Sequence, residues 1–395
     1  MKKQNTWILP DGIEEVLPPD AYELEMLCRK IMDQFGLWGY ELVMPPLAEY
    51  LDSLLTGAGD DLELKTFKIT DQLSGRMMGI RADITPQVAR IDSHKLGFET
   101  PTRLCYNGSV LHTRPDGPGG TRAPLQIGAE IYGHTGVESD AEILSLMLIT
   151  LQIAGLKNVH VDIGHAGIYR KLIQKLDITA DKESVIINAM QRKAVNELKS
   201  SFDEWSISSD VSTAVLALTE LNGDRQILDK ALTIFKPLGE DIVLHIEELM
   251  RIADLVATQV KDAPLFFDLA DCSGYKYHNG IMFTTFIHGQ GQGIAFGGRY
   301  DGLGKEFGRA RPATGFSIDI NSVYKLVSPA ASKRTGIFAP NSEIPGIDDA
   351  ISELRQKGER VIAQLPGQTG SAKDMGCDRE LYIDGGRWSI RDLKL

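Results

Sequence analysis

IAFGGRYDGLGKEFGRARPATGFSIDINS, which spans residues 294–322, is the most informative part of the chain. It opens with a short apolar segment, and its paired glycines Gly297 and Gly298 are typical either of a sharp turn or of a close approach between backbones. A polar loop is expected at 299–301, before the chain returns to the core. Apolar and polar residues then alternate, which indicates a half-buried strand. Three side chains share the apolar face of that strand: Phe316, Ile318 and Ile320.

The composition is that of an ordinary globular protein of 395 residues, with 43% hydrophobic and 24% charged residues, and this length allows two or three domains. The formal net charge of -12 and the pI near 5.2 do not favour a nucleic-acid partner, which would require a basic surface. The longest apolar run, 143–154, is too short to span a bilayer, and the first residues lack the apolar core of a signal peptide. The four cysteines lie far apart, as is typical of reduced thiols. We therefore expect a cytoplasmic protein without membrane attachment.

Sequence patterns divide the chain into a core, an insertion and an appendix. Residues 1–168 and 261–328 carry strand patterns between helices and are interpreted as two parts of one core. Residues 169–260 are rich in Lys, Glu, Ala and Leu at helical spacing, which predicts a helical insertion. After a small polar linker, residues 333–395 predict a small α/β appendix with one helix at 347–357.

The strand predicted at 124–132 has one polar face, because side chains alternate along a strand. That face carries Gln126, Glu130 and Tyr132, with a gap at Gly128 where a ligand could lie close to the backbone. A buried carboxylate is costly unless it is paired, so Glu130 requires a cation or hydrogen-bond donors. The plainer interpretation of the same pattern is a solvated or salt-bridged strand face.

A second polar pair, Asp83 and Thr85, shares a face if that segment is extended. Four residues would then form a nest for an ammonium group: Asp83, Thr85, Gln126 and Glu130. The segment YKYHNG at 275–280 adds Tyr277 and His278, which offer an aromatic ring and an imidazole for recognising a small polar ring. Taken alone, a tyrosine or a histidine in this position is more often structural.

Residues 289–293 read GQGQG, which is superficially similar to a phosphate-binding loop. The run lies between two predicted strands and lacks the Gly-Lys-Ser/Thr ending, so a tight hairpin is the favoured interpretation. The eight histidines form no H-E-x-x-H motif, and no zinc framework or Ser-His-Asp arrangement is visible in the spacing. The sequence predicts neither a metal site nor a catalytic residue.

Residues 10–325 resemble histidyl-tRNA synthetases. The resemblance is carried by IRADITPQVAR (80–90), LHTRPDGPGGTRAPLQIGAEIYG (111–133), YKYHNG (275–280), and GGRYDGL followed by PATGF (297–316). It implies an α+β fold built on the antiparallel sheet of class II aminoacyl-tRNA synthetases, flanked by helices. It also implies seven histidine-binding residues: Asp83, Thr85, Gln126, Glu130, Tyr277, His278 and Tyr300.

Three positions at which the synthetase family has arginines are changed in this chain. Ser273 and Ser322 stand at two of them, and Leu111 and Thr113 stand where the family has an ATP-binding arginine and glutamate. Adenylate formation needs positioned cations to stabilise phosphate charge, and losing one such donor costs on the order of 10²–10³ in rate. Serine and leucine cannot replace a guanidinium group. The sequence therefore argues against aminoacylation, and it leaves Arg122 as the candidate for holding the carboxylate of histidine.

An amino-acid pocket without the ATP apparatus is similar to the family of ATP phosphoribosyltransferase regulatory subunits. This resemblance implies a non-catalytic chain that activates a short-form ATP phosphoribosyltransferase catalytic subunit and binds histidine for feedback inhibition. It also implies a homodimer within a hetero-oligomer, with no cofactor in this chain and Mg²⁺ only in the partner's reaction. Two enzymatic alternatives stay open, namely an active histidyl-tRNA synthetase and another paralogue that adenylates a different substrate.

Overall fold

The computed structural model describes most of the chain, namely residues 7–57, 59–117, 120–207, 209–271, 274, 277–327, 335–341 and 344–393. The chain forms two compact units. The larger unit comprises Met1–Glu15 and Leu24–Val327, and the smaller comprises Val16–Glu23 and Ser328–Leu395. No helix within the described ranges is both long enough and apolar enough to cross a membrane.

The larger unit combines short strands with helices of very different lengths. Its strands are β1 (Glu41–Leu42), β2 (Ala48–Tyr50), β3 (Phe67–Thr70), β4 (Met77–Ile80), β5 (Thr102–Ser109), β6 (Leu125–Tyr132), β7 (Val159–His165), β8 (Asn222–Gly223), β9 (Leu265–Asp268), β10 (Ile281–Ile287), β11 (Ala295–Arg299) and β12 (Ala313–Asp319). Its helices are α1 (Asp20–Leu37, which begins in the smaller unit), α2 (Leu51–Leu54), α3 (Asp60–Lys65), α4 (Thr85–Arg90, continued by a π-helical turn at Ile91–Leu96), α5 (Val137–Ile153), α6 (Ala166–Leu176), α7 (Ala180–Gln191), α8 (Val195–Glu204), α9 (Asp210–Leu218), α10 (Gln226–Phe235, followed by a 3-10 turn at Lys236–Leu238), α11 (Glu240–Gln259), α12 (Leu303–Glu306) and α13 (Ile320–Val327).

Most of these strands form one large sheet in the order β1-β5-β6-β12-β11-β10-β7-β9-β8. The centre of the sheet, from β5 to β7, is antiparallel, whereas β1 pairs with β5 and β9 pairs with β7 in parallel. Strands β2, β4 and β3 form a separate antiparallel sheet. The predicted antiparallel sheet with flanking helices is confirmed.

One face of the large sheet packs against helices α1 and α5. Phe316 of β12 meets Phe35 of α1 edge-on, with the ring centroids 5.9 Å apart. Thr285 of β10 is fully buried, and its hydroxyl donates to the sulfur of Met147 in α5 at 3.6 Å. The apolar run at 143–154 is therefore a buried helix, as expected, and the opposite face of the sheet is left for the polar side chains of β6.

The paired glycines Gly297 and Gly298 lie inside β11, so the interpretation as a sharp turn is wrong. A Cβ added to Gly297 would lie 2.4 Å from the ring of Phe283 and 2.5 Å from the carbonyl oxygen of Gly315. Gly298 has a φ of 155°, and its Cβ would lie 2.4 Å from the carbonyl oxygen of Ile281. The second interpretation, a close approach between backbones, is the one the structure confirms. The GQGQG run connects β10 to β11 in a hairpin, as predicted, but the connection covers residues 288–294 and is longer than a tight turn.

Arg299 and Tyr300 are buried rather than part of a polar loop, so that prediction is wrong as well. Their exposed fractions are 7% and 3%. The guanidinium group of Arg299 pairs with the buried carboxylate of Asp140 at 3.0 Å and donates to the hydroxyl of Ser139 at 2.9 Å. Burial of an arginine is tolerated when its charge is paired and its donors are used. Arg299 thus links the end of β11 to the first turn of α5.

The region between β7 and β9 is mostly helical, from α6 to α11. The exception is β8, which pairs with β9 at the edge of the large sheet and which the composition did not indicate. Because β8 pairs with β9, the region between β7 and β9 contributes one strand to the large sheet as well as its helices. Whether residues 169–260 fold as a separate insertion stays a prediction.

The smaller unit contains strands β13 (Ile337–Ala339), β14 (Val361–Ala363), β15 (Arg379–Asp384) and β16 (Arg387–Asp392) with helix α14 (Ile347–Gln356). The sheet order is β14-β13-β15-β16, and the helix predicted at 347–357 is confirmed. Its core is formed by six apolar residues: Ile337, Ala339, Ile347, Ile351, Val361 and Leu381. Strand β16 was not predicted, although Trp388 and Ile390 alternate with polar residues in its sequence RWSIRD.

Candidate functional site

The site is centred on Glu130, which lies in the middle of the large sheet. On β6 it stands opposite Gly315 of β12. A Cβ on Gly315 would lie 1.4 Å from Oε2 of Glu130, so the missing side chain makes room for the carboxyl group. The side chain of Glu130 is therefore held over the sheet by the strand pairing itself.

Three hydroxyl groups donate hydrogen bonds to the buried carboxyl group of Glu130. Tyr300 donates to Oε2 at 2.5 Å, and Thr85 and Tyr106 donate to Oε1 at 3.1 and 3.2 Å. Burial raises the pKa of Glu130 to about 8, against the opposing hydrogen bond from Tyr300 and with the further help of the nearby Asp83 charge. At neutral pH the group is mostly a protonated acid, and an incoming cation would favour its ionised form.

Asp83 and Gln126 form a second polar pair beside Glu130. Nε2 of Gln126 donates to Oδ1 of Asp83 at 2.8 Å, and Oε1 of Gln126 accepts from the backbone N–H of Ile84 at 2.9 Å. These two bonds fix the orientation of the amide. Thr85 begins helix α4, so the segment is not extended. The prediction that Asp83 and Thr85 share one face of a strand is therefore wrong. The side chains still converge, because the turn directs Thr85 to Glu130 and Asp83 to Gln126.

The predicted ligand gap at Gly128 is occupied by Tyr106. A Cβ on Gly128 would lie 2.3 Å from the hydroxyl oxygen of Tyr106, which stands opposite it on β5. Tyr106 was missed by the sequence reasoning, because finding it requires the register between β5 and β6, which no local pattern supplies. Tyr132 lies on the predicted polar face of β6 but was not named as a site residue, and its hydroxyl lies 3.3 Å from that of Tyr300.

Aromatic rings form one wall of the site. Tyr277 stacks on Tyr300 with centroids 5.2 Å apart and an interplanar angle of 26°. His278 meets Tyr277 edge-on at 5.1 Å and packs against Gly298, where a Cβ would lie 2.6 Å from Cδ2 of the imidazole. Burial lowers the pKa of His278 to about 4, so its ring is neutral at pH 7. Tyr277 is 36% exposed and marks the solvent side of the wall.

Arg122 contacts none of the other seven predicted residues among its described hydrogen bonds. Its guanidinium group donates to the carbonyl oxygens of His112 at 3.0 Å and Asp11 at 3.1 Å. It also lies over the ring of Phe67, 5.4 Å from the centroid. The structure therefore does not bring Arg122 together with Glu130, and its role toward a ligand stays a prediction.

The positions that depart from the synthetase pattern supply no cation. Ser273 lies outside the described residues. Ser322 lies in α13, where its hydroxyl donates to Asp319. Leu111 and Thr113 use their backbone N–H groups in hydrogen bonds of 3.0 and 2.9 Å to main-chain carbonyls. The three described positions, Leu111, Thr113 and Ser322, therefore offer no cation to a polyphosphate.

One group of side chains outside this pocket has the spacing of metal ligands. Among the described residues these are His165, His245 and Glu248, whose ligand atoms lie within 4.8 Å of one another. Both imidazoles meet Oε2 of Glu248, at 3.2 Å from His165 and 2.8 Å from His245. The N–H of Gly167 donates to Nδ1 of His165 at 3.1 Å, which places the ring proton on Nε2, toward the carboxylate. In that tautomer His165 offers no lone pair to a metal ion, and the group is a satisfied hydrogen-bonded cluster.

Comparison with known proteins relates both units to described families. A family model described as Histidyl-tRNA synthetase matches residues 12–323, and one described as ATP phosphoribosyltransferase subunit HisZ C-terminal domain matches residues 334–391. A solved ATP phosphoribosyltransferase regulatory subunit/histidyl-tRNA synthetase from Bacillus halodurans has a TM-score of 0.84 at 23% identity, covering 96% of this chain and 98% of that one. Histidyl-tRNA synthetase from Nostoc sp. PCC 7120 has a TM-score of 0.81 at 18% identity, covering 98% and 95%. The fold is therefore that of the histidyl-tRNA synthetase-like class II proteins.

Relatives that match the whole length of the chain identify one family within this class of folds. The ATP phosphoribosyltransferase regulatory subunit of Thioalkalivibrio sulfidiphilus is 50% identical over 395 residues, covering 100% of both chains. That of Alkalilimnicola ehrlichii is 48% identical over 394 residues, covering 99% of this chain and 98% of its own. The chain belongs to the family of ATP phosphoribosyltransferase regulatory subunits. The resemblance inferred from the sequence is confirmed, and a regulatory rather than catalytic role in histidine biosynthesis follows from this membership.

Proposed function

We propose that this chain binds free histidine in the pocket around Glu130 and thereby carries feedback inhibition of ATP phosphoribosyltransferase, the first step of histidine biosynthesis. The ammonium group of histidine lies near carboxyl and amide groups, and the imidazole lies toward the aromatic wall. The residues concerned are Asp83, Thr85, Gln126 and Glu130 for the ammonium group, and Tyr277, His278 and Tyr300 for the imidazole.

The observation that carries the proposal is the buried carboxyl group of Glu130, surrounded by three hydroxyl groups, in a chain of a regulatory family. A buried carboxyl group with a raised pKa gains from an incoming cation, because the cation favours the ionised form that burial disfavours. The stacked rings of Tyr277 and Tyr300 offer an edge and a face to an imidazole. Arg122 is retained as the proposed partner of the histidine carboxylate, although it would have to leave its present contacts.

We infer further that the chain activates a short-form catalytic subunit, acting in the cytoplasm as a homodimer within a hetero-oligomer. Histidine inhibits only if it binds more tightly to the less active state of the assembly. The coupling is reciprocal, so the catalytic subunit must change the affinity of this chain for histidine by the same factor. No cofactor is proposed for this chain, and Mg²⁺ would serve the partner's reaction.

The direct test is the phosphoribosyltransferase rate of the cognate short-form catalytic subunit, measured with and without this chain across histidine concentrations. We expect the rate to rise when the chain is added and to fall again as histidine is added. A rate that does not respond to the chain would contradict activation, and a rate that responds to the chain but not to histidine would contradict the effector role.

The enzymatic alternatives predict a different result for the isolated chain. An active histidyl-tRNA synthetase, or a paralogue that adenylates another substrate, catalyses amino-acid-dependent exchange between ATP and pyrophosphate. We expect no exchange with histidine or with a mixture of the twenty amino acids, because Leu111 and Ser322 stand where cations are required. Exchange above background would reinstate the enzymatic interpretation.

A further inference from the structure

The pocket segment 277–280 is anchored to the sheet by the side chain of Asn279. Its Nδ2 donates to Oδ2 of Asp301 at 2.9 Å, and its Oδ1 accepts from the backbone N–H of Asp301 at 3.0 Å. The backbone N–H of Asn279 also donates to the last carbonyl of β11 at 2.9 Å. Asn279 thus contacts Arg299 and Asp301, the two neighbours of Tyr300 in the sequence. Tyr300 in turn stacks on Tyr277. This anchor therefore holds the two rings together from the side of the sheet.

Helix α6 holds the same segment from the other side. Nη2 of Arg170 donates to the carbonyl oxygen of His278 at 3.0 Å. The backbone N–H of Ala166, the first residue of α6, donates to the carbonyl oxygen of Gly280 at 2.9 Å. Arg170 is half-buried, and a guanidinium group stays charged over the whole physiological pH range. Two hydrogen bonds thus run from the helical region to the main chain of the pocket.

The backbone of His278 determines where two side chains of the aromatic wall lie. The imidazole lies between Gly298 and the Tyr277 ring, which it meets edge-on. A Cβ on Gly298 would lie 2.6 Å from the imidazole, so only glycine leaves room for it. The backbone N–H of His278 donates to the carbonyl of Gly274 at 2.8 Å. Loss of the donor to the His278 carbonyl would therefore let both rings shift relative to Tyr300.

We propose that Arg170 is a positioning residue of the histidine pocket, through which helix α6 responds to occupancy of the pocket. The inference rests on the proposed function, because it requires histidine to bind beside Tyr277 and His278. A hydrogen bond from a charged donor is among the stronger ones, and a half-buried carbonyl that loses it is left unsatisfied. We expect removal of the donor to weaken histidine binding about tenfold. Bound histidine should in turn stabilise α6 against local opening, because the coupling between α6 and the histidine pocket is reciprocal.

Calorimetric titration of histidine into the full-length chain tests this role with three variants. Arg170→Met keeps an aliphatic stem and removes every donor, whereas Arg170→Lys keeps one charged donor and should recover most of the affinity. Arg192→Met is the control, since Arg192 pairs at an exposed site with Glu197, outside the pocket. We expect a roughly tenfold higher Kd for Arg170→Met alone. A Kd for Arg170→Met equal to that of the wild type or of the control would overturn the inference.

Amide hydrogen exchange in the wild-type chain tests the coupling between the pocket and α6 independently, and it can be used if Arg170→Met does not fold. Added histidine should slow amide exchange in α6 (Ala166–Leu176) and leave α14 (Ile347–Gln356) unchanged. Histidine that binds without slowing exchange in α6 would remove this inference and leave the proposed function standing. A wild-type chain that binds no histidine would remove the proposed function and this inference together.

Discussion

The carboxyl group of Glu130 fills the space that a side chain on Gly315 would need, since a Cβ there would lie 1.4 Å from Oε2. We expect Gly315→Ala to displace the carboxyl group from its three hydroxyl donors and to lower the free energy of unfolding by about 1–3 kcal/mol, the usual cost of overpacking. Urea unfolding measures the loss. Gly291→Ala is the matched control, because nothing lies within 4 Å of a Cβ at that position. Equal losses in the two variants would contradict the packing argument.

Glu130→Gln should weaken histidine binding, because the amide keeps the size of the side chain and removes its capacity for negative charge. The expected increase in Kd is about 10- to 100-fold, the value of a hydrogen bond to a charged group. Calorimetric titration of histidine measures it. Glu138→Gln is the control, since Glu138 forms an exposed pair with Arg251. An unchanged Kd in Glu130→Gln would reject the pocket assignment.

Stability should fall with rising pH through the titration of Glu130. Its folded-state pKa of about 8 lies above the ordinary value of 4.5, so the folded chain holds a proton that the unfolded chain releases. The contribution is fully present below the unfolded pKa and is lost as the pH rises through 8. Unfolding in urea at pH 5.5 and pH 8.5 should show a larger decline for the wild type than for Glu130→Gln. Parallel declines would show that Glu130 titrates normally.

Arg299→Met should be among the most destabilising single changes in the larger unit. It leaves the carboxylate of Asp140 buried without its partner, which typically costs about 3–5 kcal/mol. Burial raises the pKa of Asp140 to about 6 even with Arg299 present, so the loss should be smaller at pH 5 than at pH 8. Thermal and urea unfolding at the two pH values measure this difference.

The surface variant Arg192→Met is the comparison for Arg299→Met and should change the free energy of unfolding by no more than about 0.5 kcal/mol, since exposed pairs contribute little. The double variant Arg299→Met with Asp140→Leu should recover part of the stability lost in Arg299→Met. A double variant as unstable as the single one would mean that the buried charge is not the cause.

The parts of the fold that depend on local periodicity could be predicted from the sequence. The alternation in β6 correctly separated a polar face from a core face, and the requirement that Glu130 find donors was met by Thr85, Tyr106 and Tyr300. Helix α5 was also recognisable as a buried helix, because its apolar run is longer than a typical strand and too short to span a bilayer.

What could not be predicted depends on pairs of residues that are distant in the sequence. Tyr106 fills the gap at Gly128 only because β5 and β6 pair in one particular register. Arg299 was expected in a polar loop because its partner Asp140 lies 159 positions earlier and nothing local announces it. Thr85 begins a helix after a turn in which Oδ1 of Asp83 accepts the backbone N–H of Thr85 at 3.1 Å. The two-residue spacing of Asp83 and Thr85 does not by itself distinguish this turn from an extended segment.

The attachment of Arg299 to α5 gives the GGRYD segment a structural role that does not depend on catalysis. Its arginine supports the architecture by joining a central strand to a buried helix, and its aspartate accepts from Asn279 and from the backbone of Ala313. We therefore expect the residues at the positions of Leu111, Ser273 and Ser322, rather than the GGRYD segment, to distinguish regulators from synthetases that share this fold.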